Sequence, residues 1–142
     1  MIREIKFRGK RVNNGAWVYG YLTMCTDGSC YITTEIERNV LRYVKGKPSY
    51  VFTRIEYEVD PKTVGQYTGM EDRGKNKIIE GDLYRSDSGY IFEVVYLESE
   101  ACFIGVPVKE SESWVFLEDI ADMERVGNKW DNPELLEVLG ND

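Results

Sequence analysis

The sequence predicts a mainly β protein: an N-terminal β-meander, an SH3-like small β-barrel, and one short C-terminal helix. Three observations carry this expectation. Thirteen per cent of the 142 residues are aromatic, ten of them Tyr, and rings and β-branched side chains pack well on a pleated surface. Apolar residues alternate in runs of four to eight, the spacing that puts them on one face of a strand. Turn residues separate the runs at short, regular intervals, as in small barrels and sandwiches and unlike alternating β and α units.

Asn14-Gly15 is the first hairpin signal, since a two-residue type I′ loop needs positive φ at both central positions. Such a loop sets Val12 opposite Trp17, Lys10 opposite Tyr19, Arg8 opposite Tyr21 and Phe7 opposite Leu22. Ile5, Phe7, Val18, Leu22 and Met24 then form a core face. Arg8, Lys10, Val12, Trp17, Tyr19 and Tyr21 form the other. Asp27-Gly28 repeats the signal and turns the chain into a third strand, Cys30 to Glu37. Read as a two-residue loop, it places Cys25 opposite Cys30 in a non-hydrogen-bonded pair, where Cα atoms lie about 4.5 Å apart. A reducing cytoplasm keeps such thiols reduced. Residues 38–49 are ambiguous, with 45–48 a loop by composition. Tyr50 to Val59 alternates, with Ile55, Tyr57 and Val59 inward, and Asp60-Pro61 ends the strand because Pro lacks a donor and restricts its predecessor.

That proline suggests a division into a 1–59 meander and a 60–142 barrel with its helix. The second half reads as strands over 63–67, 77–84, 90–97, 101–108, 114–117 and 123–126, with Tyr90 to Leu97 apolar on both faces like a central strand. Cys102 and the Trp114–Phe116 group read as buried. Asn132 is a suitable N-cap, Pro133 suits the first helical position, and Gly140 a terminus, so 133–139 should be helical. A helix that short needs packing for Leu135, Leu136 and Leu139.

Three segments carry a resemblance: Lys6–Gly20, Thr63–Tyr84 with its Glu80-Gly81-Asp82 corner, and Val126–Leu136. Together they resemble the YopX family, small proteins carried by phages and prophages. The likeness reaches both ends and the middle, and implies one continuous family unit of phage or prophage provenance. It transfers no catalytic residue. Ser86–Glu124 contains no matching motif and is the expected seat of partner specificity.

Composition narrows the chemistry. There is no histidine, which removes the commonest general base, the Ser-His and Cys-His pairs, and most catalytic zinc sites. No phosphate-cradling Gly-rich loop or dinucleotide fingerprint is present. No enzyme activity and no cofactor are therefore expected. Glu71, Asp72, Glu80 and Asp82 are the compact acidic group near a turn, where a hard cation could find oxygen ligands. Turn chemistry accounts for the same residues without a metal.

The net charge is −7 and the pI about 4.8, which opposes general attraction to nucleic acid. Arg8, Lys10, Trp17, Tyr19 and Tyr21 still make a basic-aromatic face of the kind that holds phosphates and stacks bases. The leading expectation is a non-enzymatic accessory protein acting through protein–protein contacts with an unidentified phage or host protein. A nucleic-acid-binding module using that face is the alternative. A basic start and an acidic flank give an electrostatic route to a homo-oligomer. No apolar run reaches the roughly 20 residues of a membrane span, and the charged start lacks a signal-peptide apolar region. The expected location is cytoplasmic, with no membrane partner.

Overall fold

A computed structural model describes residues 3–109 and 113–140. Residues 110–112, and the side chains of residues 138–140 with Leu139 among them, lie outside the described residues. Strand dominates the described residues and places the chain in the mainly β class. Two compact units divide it: Lys6–Val64, and Gly65–Asp142 together with Met1–Ile5.

The unit Lys6–Val64 is an antiparallel meander of β1 (Phe7–Lys10), β2 (Trp17–Met24), β3 (Cys30–Val44) and β4 (Lys47–Val59). Its first hairpin pairs Lys10 with Trp17 and Arg8 with Tyr19, two residues from the predicted register. The cause is the loop: Arg11 N–H donates to the Ala16 carbonyl at 2.8 Å and Gly15 N–H to the Arg11 carbonyl at 2.9 Å, leaving a four-residue loop. Only Gly15 has positive φ, at 71°. A two-residue shift preserves faces, so Arg8, Lys10, Trp17, Tyr19 and Tyr21 still share one side. Ile5 and Met24 prove exposed rather than core.

The second hairpin slips by one residue, which does change faces. Cys25 N–H donates to the Ser29 carbonyl, and Met24, not Cys25, lies opposite Cys30. Cys30 is buried, Cys25 is exposed, and both are free thiols. The three-residue loop with Gly28 at φ 91° accounts for the slip.

This meander also joins its first and last strands at one end. Arg11 bridges Val59; Val12 N–H donates to the Glu58 carbonyl at 3.0 Å and Asp60 N–H to the Lys10 carbonyl at 2.8 Å. Gly9 permits the crossing, because a Cβ there would press on Val59. The core beneath it is Cys30, Ile32 and Val59, with Phe7, Val18, Leu22 and Val64 packed around them. Asp60 then receives the N–H of Lys62 at 3.0 Å and starts a single 3₁₀ turn, Pro61–Thr63.

In the other unit, β5 (Gly65–Glu71) and β6 (Lys77–Ile79) form a hairpin. A separate five-stranded antiparallel sheet contains β7 (Asp82–Arg85), β8 (Ile91–Leu97), β9 (Cys102–Pro107), β10 (Val115–Phe116) and β11 (Glu124–Asn128). Its order is β10-β9-β8-β7-β11, with β8 central as predicted. Four strands meander, helix α1 (Leu117–Ala121) follows, and β11 returns beside β7. The predicted SH3-like closure is not found among the described residues: the sheet ends at β10 and β11, since β10 is only two residues long and gives way to α1.

Ile120 of α1 is fully buried against Ile78, Tyr84, Phe92 and Val94. Packed this way, α1 brings Ile120 over Gly105. Cys102, Trp114 and Phe116, expected inside, are exposed. Cys102 begins an edge-proximal strand, and the two rings stack edge to face on each other at 5.2 Å.

The C-terminal helix α2 runs Glu134–Gly140, with Leu135 and Leu136 half-buried. Asn132 does not cap it through its side chain. Its Oδ1 turns back to accept the Asn128 N–H at 3.2 Å.

Candidate functional site

The long hairpin of β3 and β4 is the candidate interface. Lys45-Gly46 is its loop, with φ of 51° and 76°, the two positive values a type I′ turn requires. The predicted loop over 45–48 is thus only two residues wide, and Pro48 enters β4, an edge strand that tolerates its missing donor. Val44 pairs with Lys47, Tyr43 with Pro48 and Val40 with Tyr50. The ambiguous 38–49 segment is strand because Val40, Tyr43 and Val44 face partners across the ladder.

Burial divides the hairpin into base and arm. Ile32, Thr33 and Val59 are buried, whereas every residue from Thr34 through Val44 is exposed. A bulge at Thr34 marks the transition. Nine cross-strand pairs extend from Glu35–Ile55 to Val44–Lys47 with a second bulge at Leu41, an arm roughly 30 Å long at the usual rise per residue. Ile55, expected inward, is exposed on it.

Cross-strand pairs share a face, so one side of the arm carries Ile36 with Arg54, Arg38 with Phe52, Val40 with Tyr50, and Tyr43 with Pro48. Phe52, Tyr43 and Tyr50 are 52%, 68% and 42% exposed. Large apolar side chains left in water at this density mark interaction surfaces. Arg38 lies over the Tyr50 ring at 4.3 Å. From Arg38 through Ile55 the chain has five cations and no acid, and none of the five forms an ion pair among the described residues.

The predicted basic-aromatic face is distributed differently. Arg8 is buried, with its guanidinium 4.8 Å from the Trp17 ring centroid, and Lys10 Nζ lies 5.2 Å from the same ring. Trp17 is partly covered, while Tyr19 and Tyr21 remain exposed. Lys10, Tyr19 and Tyr21 therefore supply most of the open surface on this face.

The acidic group is tied into turns. Asp72 is buried and accepts the N–H groups of Gly74 and Asn76, both at 2.9 Å, and the Tyr84 hydroxyl at 2.8 Å. Burial pushes its carboxyl upward, but hydrogen bonds from Asn76, Tyr84 and Gly74 outweigh that and hold it below the usual carboxylate value. Burial, the Asp72 hydrogen bond and the Asp82 charge hold the Tyr84 hydroxyl far above an ordinary phenol. Asp82 is fully buried and accepts the Ile79 N–H at 2.9 Å; Glu80 accepts the Gln66 N–H at 3.2 Å. Glu71 is exposed opposite Lys77. Among the described residues no group of three or more Cys, Asp or Glu is placed to hold a metal.

A cavity of about 670 Å³ opens in the unit containing Gly65–Asp142, with Glu4, Glu80 and Glu118 beside Tyr96, Phe103 and Leu117. Sequence reasoning missed both it and the arm. Five cations without an acid in residues 38–55 were the legible trace of the arm. The cavity assembles from six separated segments and left no such trace.

No helix among the described residues is long and apolar enough to cross a membrane. Fold and surface together define a mainly β protein that presents a basic, aromatic β-arm. The chain matches the model of the family described as YopX protein over residues 6–137, nearly its whole length, and belongs to that family. No curated protein matches it.

Proposed function

We propose that this is a non-enzymatic accessory protein of phage or prophage origin that acts through protein–protein contacts made by its β-arm. One observation carries the reading: the composition of the face bearing Ile36, Arg38, Val40, Tyr43, Tyr50, Phe52 and Arg54. Interface centres are enriched in aromatic residues and Arg and depleted in Lys, Glu and Asp. This face has the first group and none of the second. Tyr and Arg are also the side chains most often found to dominate binding energy. The missing histidine and the use of Asp72 and Asp82 as acceptors for turn and strand N–H groups support a non-enzymatic role.

Affinity capture from lysogenic cells with the wild type and with a Tyr50→Ser/Phe52→Ser variant tests this. The expected result is one stoichiometric protein, lost with the variant. Equal recovery by both would overturn the arm as the contact surface.

A nucleic-acid-binding role draws support from exposed Tyr19 and Tyr21 beside Lys10. The burial of Arg8 and the net charge of −7 weigh against it. Nuclease-sensitive recovery of nucleic acid in the same capture would favour it instead.

A further inference from the structure

The geometry points to a second copy of this chain as the occupant of the β-arm: the tip of one copy enters the acidic, aromatic cavity of the other, reciprocally. This rests on the reading of the arm as a protein-docking element and names its partner.

Charge supplies the first support. Residues 38–55 carry +5 within a chain of net −7, leaving −12 for the rest. Residues 93–124 contain nine acids against the single cation Lys109, a net of −8. Of these nine acids Glu118 lines the cavity, where Glu80 joins it, so every copy offers both a cationic tip and a carboxylate-bearing pocket. Opposed patches of this kind steer encounter and set register.

Chemistry at the contact supplies the second. The tip presents Tyr43, Val44, Lys45, Lys47 and Pro48, which are apolar or cationic and all exposed. The cavity presents rings and carboxylates. Tyr96 and Phe103 stack edge to face at 5.1 Å along its wall, Leu117 adds an apolar side, and Glu80 and Glu118 add negative charge. Glu4 lies there too, paired to Lys77 at 3.1 Å, and Arg3 is the one cation in the lining. A lysine stem can lie along aromatic surface while its ammonium meets a carboxylate. The two-residue loop makes the tip the narrowest part of the ribbon. A cavity of about 670 Å³ is in the range that accommodates a group of several side chains.

Symmetry supplies the third. Arm and cavity are different surfaces, so a one-way contact would propagate into open chains. Mutual exchange of arms between two copies satisfies both contacts in each and closes the assembly.

Light scattering coupled to size exclusion should give twice the 16.5 kDa chain mass at micromolar concentration, declining as salt is raised. Lys47→Glu and Glu118→Lys change two exposed positions with no core role, and matching melting curves would confirm that both variants fold. Each alone should weaken self-association roughly tenfold or more, and the double variant should restore it. A monomeric wild type overturns the proposal, as does a dimer indifferent to both substitutions. In either case the protein-docking reading still stands if the Tyr50→Ser/Phe52→Ser variant loses a captured foreign protein. A monomer that binds duplex DNA through Lys45 and Lys47 would replace the second copy with nucleic acid.

Discussion

The Tyr84 hydroxyl donates to Asp72 Oδ2 at 2.8 Å, joining strand β7 to the turn between β5 and β6. Both residues are buried, and the same carboxylate accepts the N–H groups of Gly74 and Asn76. Residues twelve apart in sequence thus hold the family's central segment together. Removing the hydroxyl with Tyr84→Phe leaves the ring in its core and takes one donor from a buried charge. The expected loss is about 1.5–3 kcal/mol, measured by urea unfolding. An unchanged midpoint would mean that the turn is held by its backbone donors alone.

The same pair predicts how stability follows pH. The folded Asp72 carboxyl is held below its unfolded value of 3.8, despite the opposing effect of burial. Its stabilisation is therefore complete above that value and is lost as pH falls toward the folded pKa. Tyr84 is shifted the other way, raised by burial first and by Asp72 second. Its contribution is present below the unfolded phenol value of 10.0 and declines as pH rises past it. Melting curves of Asp72→Asn should show a shallower acid limb, and those of Tyr84→Phe a shallower alkaline limb. Parallel curves for wild type and variants would contradict both assignments.

Gly15 and Gly20 should fail for different reasons. Gly15 has φ of 71° with open space around it, so Gly15→Val introduces backbone strain alone, about 1–2 kcal/mol. At Gly20 an added Cβ would strike the backbone carbonyl of Thr33, so Gly20→Ala must push β2 and β3 apart and should cost more. Thermal melts that rank the two variants the other way would show that the β2–β3 ladder yields more easily than the loop.

Arm substitutions should separate stability from association. Phe52 is half exposed beyond the Thr34 bulge and touches neither buried cluster. Phe52→Ser should shift folding stability by within about 0.5 kcal/mol, as expected for a surface site, while impairing partner capture. A large drop in melting temperature would place the arm within the folding unit.

Much of the fold was legible because β structure announces itself locally. Alternation gave the strands, glycines marked the turns, and the Asn132–Gly140 punctuation located α2 to within a residue. The histidine-free composition and the YopX-family likeness of three segments were equally local facts. Register was not local. Asn14-Gly15 and Asp27-Gly28 each suggested a two-residue loop, yet the chain forms loops of four and three residues. Gly9 crossing Val59, and Cys30 and Ile32 reaching a common core, decide which pairing buries more apolar surface.

The candidate interface divides in the same way. The sequence by itself determined that residues 38–55 are cationic, acid-free and rich in β-formers, and that Glu93–Glu124 is acidic. Only the tertiary structure decided that Arg8 is sheltered beneath Trp17 while Tyr43, Tyr50 and Phe52 stand in solvent. Alternation records which residues share a face, but burial depends on whether another layer covers that face. Beyond Thr34 no described layer does, and that absence is what turns an ordinary hairpin into an arm.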